Sequence, residues 1–396
     1  MKKLFVLFAV LALVVVTTPA MAAEWNFYGS ARMMTWYNSG DAAALANPHD
    51  NGNLLESDQE LTWALQGNSR IGAKVKHGTV SGYFEYGTGV NVRKLYGTWK
   101  PENAGWQLLV GQTYTPTVLF YSGQAYATDE GQLSSGQMYN GRRPMIQFSW
   151  EGLKVALVNV HKANNKGTLF NANPGEELTI PGDVTVVAPK IEAAYHFGAD
   201  KFFFDVVGGY QTWQIENPTG SRGDTDVNAW LVGGGGGANF GPAYVKAMAY
   251  YGQNTGDYGI YTNAGGYFGG VSVKPNTNTA LFTQDAASAI TTFKEDAVGG
   301  LSYDTEDTNV LSFLGVVGFK VNDMFSLELG GSYIKYENDL FVDDAKLYAF
   351  YVQAPVTLAK GVFIVPETGY YKIDQLTSGE DGEDFWYLGA KWQINF

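Results

Sequence analysis

The chain has 396 residues, a formal net charge of −13 at pH 7 and no cysteine, which excludes a disulfide framework and thiolate metal sites. The acidic balance argues against a nucleic-acid partner, because such a partner needs a basic surface that neutralises phosphates. Aromatic residues make up 15% of the chain, and the 49 glycines are spread along it with no composition shift that would mark a linker between two domains.

The first 22 residues have the order of a secretory signal peptide. Lys2 and Lys3 form a basic head, and residues 4–16 are an unbroken apolar run. The small residues Ala20 and Ala22 follow at the −3 and −1 positions of a cleavage site. The apolar run is too short for a membrane-spanning helix. We therefore expect cleavage after Ala22 and a mature chain of residues 23–396. A retained membrane anchor is the alternative.

From residue 25 onward, apolar and polar residues alternate with a period of two. This period predicts β-strands whose two faces meet different surroundings. The alternating segments are 25–33, 60–75, 80–86, 146–151, 190–197, 201–210, 325–333 and 385–396.

Three features of these segments indicate lipid on one face and water on the other. The polar face carries many charges, and the apolar face ends in interfacial aromatics such as Trp25, Trp63 and Trp150. The segments run to about ten to fifteen residues, whereas typical strands have about five or six. No second apolar stretch of about twenty residues offers a transmembrane helix. Strands cross lipid only as a closed barrel, because an open edge leaves backbone groups unsatisfied.

Short and long connections alternate between the strands. The short turns are 76–80, 100–106, 150–154, 196–202, 239–244, 320–325 and 358–362, and 87–91 is also short. The long segments are 39–58, 117–143, 162–188, 217–226, 257–308, 338–345 and 375–384. Short periplasmic turns and long extracellular loops are typical of outer-membrane barrels. The sequence predicts an all-β transmembrane antiparallel up-and-down β-barrel of about 16 strands, with residues 293–303 in the longest outer loop. An 18-stranded barrel with a strand near 257–275 is the alternative.

The chain ends in "FWYLGAKWQINF", with Phe396 last and Ile394 and Trp392 at alternate positions before it. We expect this strand to close the barrel by pairing with residues 25–36. With its signal peptide, strand count, long third loop and terminal Phe, the whole mature chain resembles the Gram-negative general porins. The resemblance implies a homotrimer in the cell outer membrane, in contact with lipid and lipopolysaccharide, whose terminal strand is the signal read by the assembly machinery. It implies passive diffusion of small hydrophilic solutes and ions.

The resemblance also implies that the third long loop, 117–143, folds inward and narrows the channel. The acidic "PEFGG" motif of the family's third loop is absent, but Asp129 and Glu130 are adjacent in the middle of this one. Opposed charges across a water-filled gap would order water and favour small polar solutes. The basic side of this predicted constriction consists of Arg32, Arg70, Lys74, Lys94, Arg142 and Arg143.

Some of these assignments have alternatives. Strict alternation lets only one of Arg93 and Lys94 point inward, and Lys94 is favoured because Leu95 and Trp99 then face lipid. Asp129 and Glu130 could instead be a solvated loop tip, and the two arginines at the end of the loop could anchor it to lipopolysaccharide phosphate.

A substrate-selective channel for phosphate, dicarboxylates or sugar is the alternative function. A phosphate channel should show an Arg/Lys ladder with few acids. A sugar channel should show a row of lumenal aromatics, and the aromatics of lumen parity are scattered over several strands: Tyr28, Tyr83, Tyr96 and Phe203.

The sequence offers no positive sign of catalysis or of a cofactor. The sequence has four histidines and contains neither an H-E-x-x-H nor a G-x-S-x-G motif, so we expect no enzyme and no metal centre. The run 233–237 is five glycines, and no helix pattern follows it, so it predicts a strand rather than a phosphate-binding loop. Acidic clusters at 304–307, 343–344 and 380–384 could take Ca²⁺ in the outer loops, because carboxylate oxygens suit hard cations. Ordinary solvated charge is the alternative.

Overall fold

A computed structural model describes residues 23–40, 59–133, 135–160, 166–169, 177–179, 184–215, 225–258, 280–283, 290–295, 301–339, 344–375 and 384–396. The predicted signal peptide, 1–22, lies outside these residues, as does most of the acidic clusters at 343–344 and 380–384. No helix in the described ranges is long and apolar enough to cross a membrane.

Sixteen antiparallel strands form one closed sheet, which confirms the predicted barrel and its strand number. Three of the strands are interrupted and consist of two segments each. In chain order the strands are β1 Glu24–Gly40, β2 Gln59–Leu65 with Arg70–His77, β3 Val80–Gly87, β4 Val92–Trp99, β5 Trp106–Tyr114, β6 Arg142–Trp150, β7 Leu153–Val158 and β8 Val184–Thr185 with Lys190–Gly198. They continue as β9 Phe202–Ile215, β10 Thr225–Phe240, β11 Ala243–Gln253, β12 Asn309–Lys320, β13 Ser326–Glu337, β14 Ala345–Gln353 with Val356–Ala359, β15 Val362–Gln375 and β16 Asp384–Asn395.

Each strand pairs with its neighbours in the chain, and β1 pairs with β16 to close the ring. In that closing pair Ala31 lies opposite Ile394 and Met33 opposite Trp392. The backbone of Phe396 completes the seam, since its N–H donates to the Gly29 carbonyl at 3.1 Å and its carbonyl accepts from the Gly29 N–H at 2.7 Å. The terminal strand therefore closes the barrel as the sequence predicts and leaves no free edge.

Alternate residues of the strands point to opposite sides of the wall. The outward set is apolar and exposed, with Trp63 72% and Phe27 71% accessible, whereas inward neighbours such as Glu85 and Tyr387 are buried. A face this apolar is stable against lipid and costly against water. Other exposed outward residues are Leu61, Ile71, Ile146, Phe148, Phe204, Val206, Leu329, Leu388, Trp392 and Ile394.

Segments of two long connections form a second, five-stranded antiparallel sheet, here called the loop sheet. Its strands are Lys166–Leu169, Glu177–Thr179, Ala280–Thr283, Ile290–Glu295 and Leu301–Glu306. Phe293 pairs with Tyr303 within it. The assignment of 293–303 to the longest outer loop is thus confirmed, and the closed ring needs no strand from 257–275.

Candidate functional site

The connection between β5 and β6, residues 115–141, runs inside the barrel and is here called the inner loop. It contains one short helical turn, α1 Tyr126–Asp129, within which Ala127 and Asp129 have φ of 50° and 61°. A non-glycine backbone in this region persists where surrounding contacts hold it. The inner loop is held in this way along one side of the lumen.

Apolar side chains pack the middle of the inner loop against β9 to β14. Tyr121 and Met138 are buried in one cluster with Leu231, Leu314 and Ile334 of the wall. The run 233–237 lies in β10, as predicted, and a Cβ at position 235 would overlap the Tyr121 ring. Part of the glycine run therefore makes room for the loop.

The hydroxyl of Tyr121 extends this attachment into the polar part of the wall. It donates to Asp205 at 2.7 Å, and the Tyr121 carbonyl accepts from Lys246 Nζ at 3.1 Å. Burial, together with the bond to Asp205, raises the pKa of Tyr121. This side chain thus remains a neutral donor and keeps the loop on the wall.

Two wall carboxylates bind backbone N–H groups of the inner loop. Glu328 accepts from Gly123 N at 2.8 Å, and Glu367 accepts from Ala125 N at 2.6 Å and Tyr126 N at 3.0 Å. A buried N–H needs an acceptor, and a carboxylate oxygen supplies one. The acids of this side of the barrel are therefore used to hold the loop backbone.

Glu192 of β8 joins the two ends of the inner loop. It accepts from Thr117 N at 3.1 Å and Thr117 Oγ1 at 2.7 Å at one end, and from Asn140 Nδ2 at 2.6 Å at the other. Lys190 lies 3.1 Å from Glu192, and its ammonium also sits 4.2 Å from the centre of the Tyr258 ring. One buried carboxylate therefore connects the two ends of the inner loop.

Asp129 ties the tip of the inner loop to the seam of the barrel. Its carboxylate contacts Arg32 of β1 and lies 2.7 Å from Lys391 of β16, with Gln66 and Asn68 as further donors at 3.4 and 3.3 Å. Burial opposes ionisation of Asp129, but Lys391 and Arg32 outweigh it and hold its pKa below the usual value. Asp129 and Arg32, which the sequence places on opposite sides of a water-filled gap, are therefore in direct contact.

Tyr126 adds an aromatic attachment to the same seam. Its ring stacks on Tyr387 with centroids 3.8 Å apart and meets Trp36 edge-on at 5.5 Å. Its hydroxyl donates to Asn38 Oδ1 at 2.9 Å. Glu130 follows α1 and donates its own N–H to the Tyr126 carbonyl at 2.9 Å.

The lumen face of β2 to β6 carries a group of cations, here called the basic wall: Arg70, Lys74, Arg93, Lys94 and Arg142. Glu85 is the carboxylate within this group. Arg93 Nε donates to it at 2.9 Å, and Arg70 Nη1 lies 3.8 Å away. Within the parts of the chain that the structure describes, no carboxylate lies within 4.0 Å of Lys74, Lys94 or Arg142.

Both Arg93 and Lys94 belong to the lumen side, although strict alternation admits only one. Glu85 pairs with Lys94 while Tyr86 pairs with Val92, so Arg93 is an extra residue in a β-bulge. A bulge sets two successive side chains on one face of the sheet. The prediction that Lys94 points inward holds, and the exclusion of Arg93 is wrong.

Tyrosines lie among the cations of the basic wall. Tyr83 and Tyr96 stack with centroids 5.3 Å apart, and the Tyr28 hydroxyl donates to Glu85 at 2.7 Å. Lys94 Nζ lies 5.1 Å from the centres of both the Tyr83 and the Tyr114 rings. The faces of these rings are therefore covered by cations or by a second ring. The cation–π contacts stabilise the ammonium group of Lys94, which has no carboxylate partner among the described residues.

The structure distributes the predicted constriction residues over three places. Arg32 meets Asp129 at the seam; Arg70, Lys74, Lys94 and Arg142 lie in the basic wall. Arg143 donates to the Asn140 carbonyl at 3.2 Å, at the end of the inner loop. Sequence reasoning missed the carboxylates that hold the loop and the partner of Asp129, although charge at lumen parity was a signal for all of them: Glu192, Glu328, Glu367 and Lys391.

The three residues of the predicted assembly signal lie on the outside of the barrel. Trp392, Ile394 and Phe396 are all exposed toward the lipid side of β16 and its end. Their recognition by an assembly machinery stays a prediction.

No family model and no curated protein matches the chain, but solved structures share its fold. The outer-membrane channel DcaP of Acinetobacter baumannii is 15% identical, with 95% of this chain and 98% of that chain covered and a TM-score of 0.63. An anion-selective porin from Comamonas acidovorans is 12% identical, with 94% and 100% covered and a TM-score of 0.54. OmpF of Salmonella typhi, in complex with daunomycin, is 10% identical, with 93% and 97% covered and a TM-score of 0.52. At these identities the likeness confirms the porin fold.

Proposed function

We propose that this chain is an outer-membrane porin, a water-filled channel through which small hydrophilic solutes and ions diffuse passively. The observation that carries the proposal is the one-sided docking of the inner loop. Its hydrogen bonds to wall carboxylates and its ion pairs go to β8 through β16 and to β1, and the rings of Phe120 and Tyr139 pack on Tyr114 of β5. The basic wall still keeps solvent-accessible side chains, Lys74 among them. A charged, wetted lumen inside an apolar exterior fits a channel better than a plugged barrel.

A preference for anions is supported by the charge balance of the lumen. The acids on the loop side are engaged by loop N–H groups, tyrosine hydroxyls or Lys190. In the described part of the chain, three cations of the basic wall, Lys74, Lys94 and Arg142, have no carboxylate within 4.0 Å. A ring of one charge sign selects ions of the opposite sign. Among the selective alternatives, this favours phosphate or carboxylate solutes over sugars, since the Tyr83 and Tyr114 rings already bind cations.

The remaining parts of the proposal concern assembly and surroundings. We propose a homotrimer in the Gram-negative outer membrane, exported by the signal peptide and inserted through its terminal strand. The apolar exterior supports contact with lipid, and outer-loop carboxylates support Ca²⁺-bridged contact with lipopolysaccharide. Cross-linking of the protein in native outer membranes tests the trimer, and a ladder that stops at the monomer would contradict it. We propose no catalytic activity.

Planar-bilayer recording of the purified protein tests the channel directly. We expect stepwise ohmic currents that grow with KCl concentration, and a reversal potential in a KCl gradient that favours chloride. Arg142→Gln should weaken the chloride preference, whereas Lys320→Gln, in an exposed periplasmic turn, should leave it unchanged. A protein that inserts but carries no current under any condition would overturn the proposal.

A further inference from the structure

We infer that Tyr258 is a positioning residue of the channel: its ring covers the ion pair of Lys190 and Glu192, through which the two ends of the inner loop are connected. Tyr258 ends a short 3-10 turn, Thr255–Tyr258, at the start of the longest outer connection. The inference rests on the proposed function and deepens it, because it makes the hold on the inner loop depend on a segment of an outer loop.

The turn starts from a fixed point on the barrel, Asn254. The Asn254 N–H donates to the Thr308 carbonyl at 2.8 Å, and Asn254 Oδ1 accepts from the Thr308 N–H at 3.0 Å. Its Nδ2 donates to the Asn228 carbonyl at 2.8 Å and to Asp307 at 2.7 Å. Asn254 has a φ of 53°, a left-handed conformation that asparagine adopts more readily than most residues. These bonds fix the point from which the chain turns into the lumen.

A glycine provides the space for the Tyr258 ring. Gly209 of β9 lies directly opposite Glu192 of β8, and a Cβ at position 209 would lie 2.6 Å from the ring. The ring fits here because residue 209 has no side chain. Tyr258 has no accessible surface and belongs to the same buried cluster as Tyr121 and Met138 of the inner loop. It therefore has one defined position on the wall.

The ring covers the cation beside it. Lys190 Nζ lies 4.2 Å from the centre of the Tyr258 ring, and Lys190 also has no accessible surface. Contact between a desolvated ammonium and an aromatic face is favourable, and the ring excludes water that would compete for the ammonium. Glu192 lies 3.1 Å from the same Nζ. Tyr258 therefore keeps Lys190 at Glu192.

Loss of this cover should loosen the inner loop. A lysine ammonium is strongly hydrated and sits on a flexible stem, so an uncovered Lys190 would turn toward the channel water. Glu192 would then lose the cation that compensates its burial, and its bonds to Thr117 and Asn140 would weaken. The contacts thus run from the outer connection through Tyr258, Lys190 and Glu192 to the inner loop.

Chemical labelling of Lys190 tests the cover without reference to conduction. The purified protein in detergent is treated with a water-soluble acetylating reagent, and the modified lysines are quantified by mass spectrometry. In the wild type we expect slow labelling of Lys190 and rapid labelling of Lys74, an exposed lumen lysine. Tyr258→Ala should speed the labelling of Lys190 by at least about tenfold, whereas Tyr258→Phe, which keeps the ring, should match the wild type. An unchanged rate in Tyr258→Ala, or rapid labelling of Lys190 in the wild type, would overturn the inference.

A second variant keeps the tyrosine and fills its space. Gly209→Ala puts a methyl group where the ring lies and should also speed the labelling of Lys190. Gly208→Ala is the matched control, because residue 208 is on the opposite face of β9 and a Cβ there meets only the Leu231 carbonyl oxygen, at 3.4 Å. This pair decides the question if Tyr258→Ala does not assemble. Equal rates at Lys190 in the two glycine variants would count against the cover.

Planar-bilayer recording tests the consequence for the inner loop. Tyr258→Ala should close briefly more often than the wild type, and Tyr258→Phe should behave like the wild type. If Lys190 became accessible in Tyr258→Ala while the recordings stayed identical to the wild type, the link from Tyr258 to the inner loop would be wrong. A wild type that carries no current would refute the proposed function, and the labelling rates would still support or overturn the cover on Lys190.

Discussion

Neutralising Asp129 should release the tip of the inner loop from the barrel seam. Asp129→Asn keeps the shape of the side chain but removes the charge shared by Arg32 and Lys391. The two cations then face each other without an anion between them, and the amide donors Gln66 and Asn68 lose the stronger acceptor. The variant therefore tests whether one carboxylate holds the loop against both the first and the last strand.

The size of the effect follows from the burial of the three charges. The side chains of Asp129, Arg32 and Lys391 are 18%, 11% and 14% exposed. Exposed ion pairs contribute about 0–1 kcal/mol, and removal of one partner of a buried pair costs about 3–5 kcal/mol. Partial burial places the expected loss of loop docking at about 2–4 kcal/mol. A loss of about 2.8 kcal/mol would raise the ratio of released to docked loop about a hundredfold.

Single-channel recording should reveal this release. We expect more open-channel noise and brief closures in Asp129→Asn, and a reversal potential shifted further toward chloride because a lumen anion is gone. Asp323→Asn is the matched control, since it removes an aspartate paired with Lys320 at 2.7 Å in an exposed periplasmic turn. Identical noise and selectivity in wild type and Asp129→Asn would refute the assignment of Asp129 to the loop anchor.

Acid should reproduce the same release in the wild type. The pKa of Asp129 is lowered in the folded protein, so its contribution is complete above the ordinary aspartate pKa and is lost as the pH falls through the lower, folded value. Channel noise should therefore rise on the acidic side of about pH 4, and Asp129→Asn should show less of this rise than the wild type. An equal rise in both proteins would assign the acid effect to other carboxylates.

Three further changes test other contacts. Tyr126→Ala removes a buried stacked ring and should destabilise the docking of the inner loop by about 3–5 kcal/mol, which should appear as noisier channels. Phe120→Ala, at a half-exposed ring of the same loop, should behave like the wild type. Glu192→Gln leaves Lys190 buried without its anion and should lower the free energy of unfolding by about 3–5 kcal/mol, as measured by thermal unfolding. An unchanged unfolding temperature would contradict the role of Glu192 in connecting the two ends of the inner loop. Deletion of Phe396 removes the last seam hydrogen bonds and should lower the yield of assembled barrel while the assembled fraction conducts normally; normal assembly in cells would contradict the role of the terminal strand.

The sequence alone determined the barrel and the orientation of its strands. Alternation is a local property, since each strand residue meets lipid or lumen according to its parity, so Trp63 and Phe204 could be placed outside without knowing their neighbours. The lengths of the connections are also a local property of the sequence. They distinguished the periplasmic end of the barrel from the extracellular end and gave the number of strands. The closing pair of β1 with β16 followed because a barrel in lipid allows no free edge.

Only the tertiary structure decided what the lumen does. Asp129 meets Lys391 across 262 positions of sequence, and Glu328 meets Gly123 across 205, so these contacts depend on how the strands are staggered around the ring. The bulge at Arg93 broke the alternation within β4 that the inward assignment of Lys94 alone had assumed. Period-two patterning shows whether a residue faces lipid or water, and it carries no information about which lumen residues contact one another. Those contacts between lumen side chains determine which charges stay unneutralised in the channel.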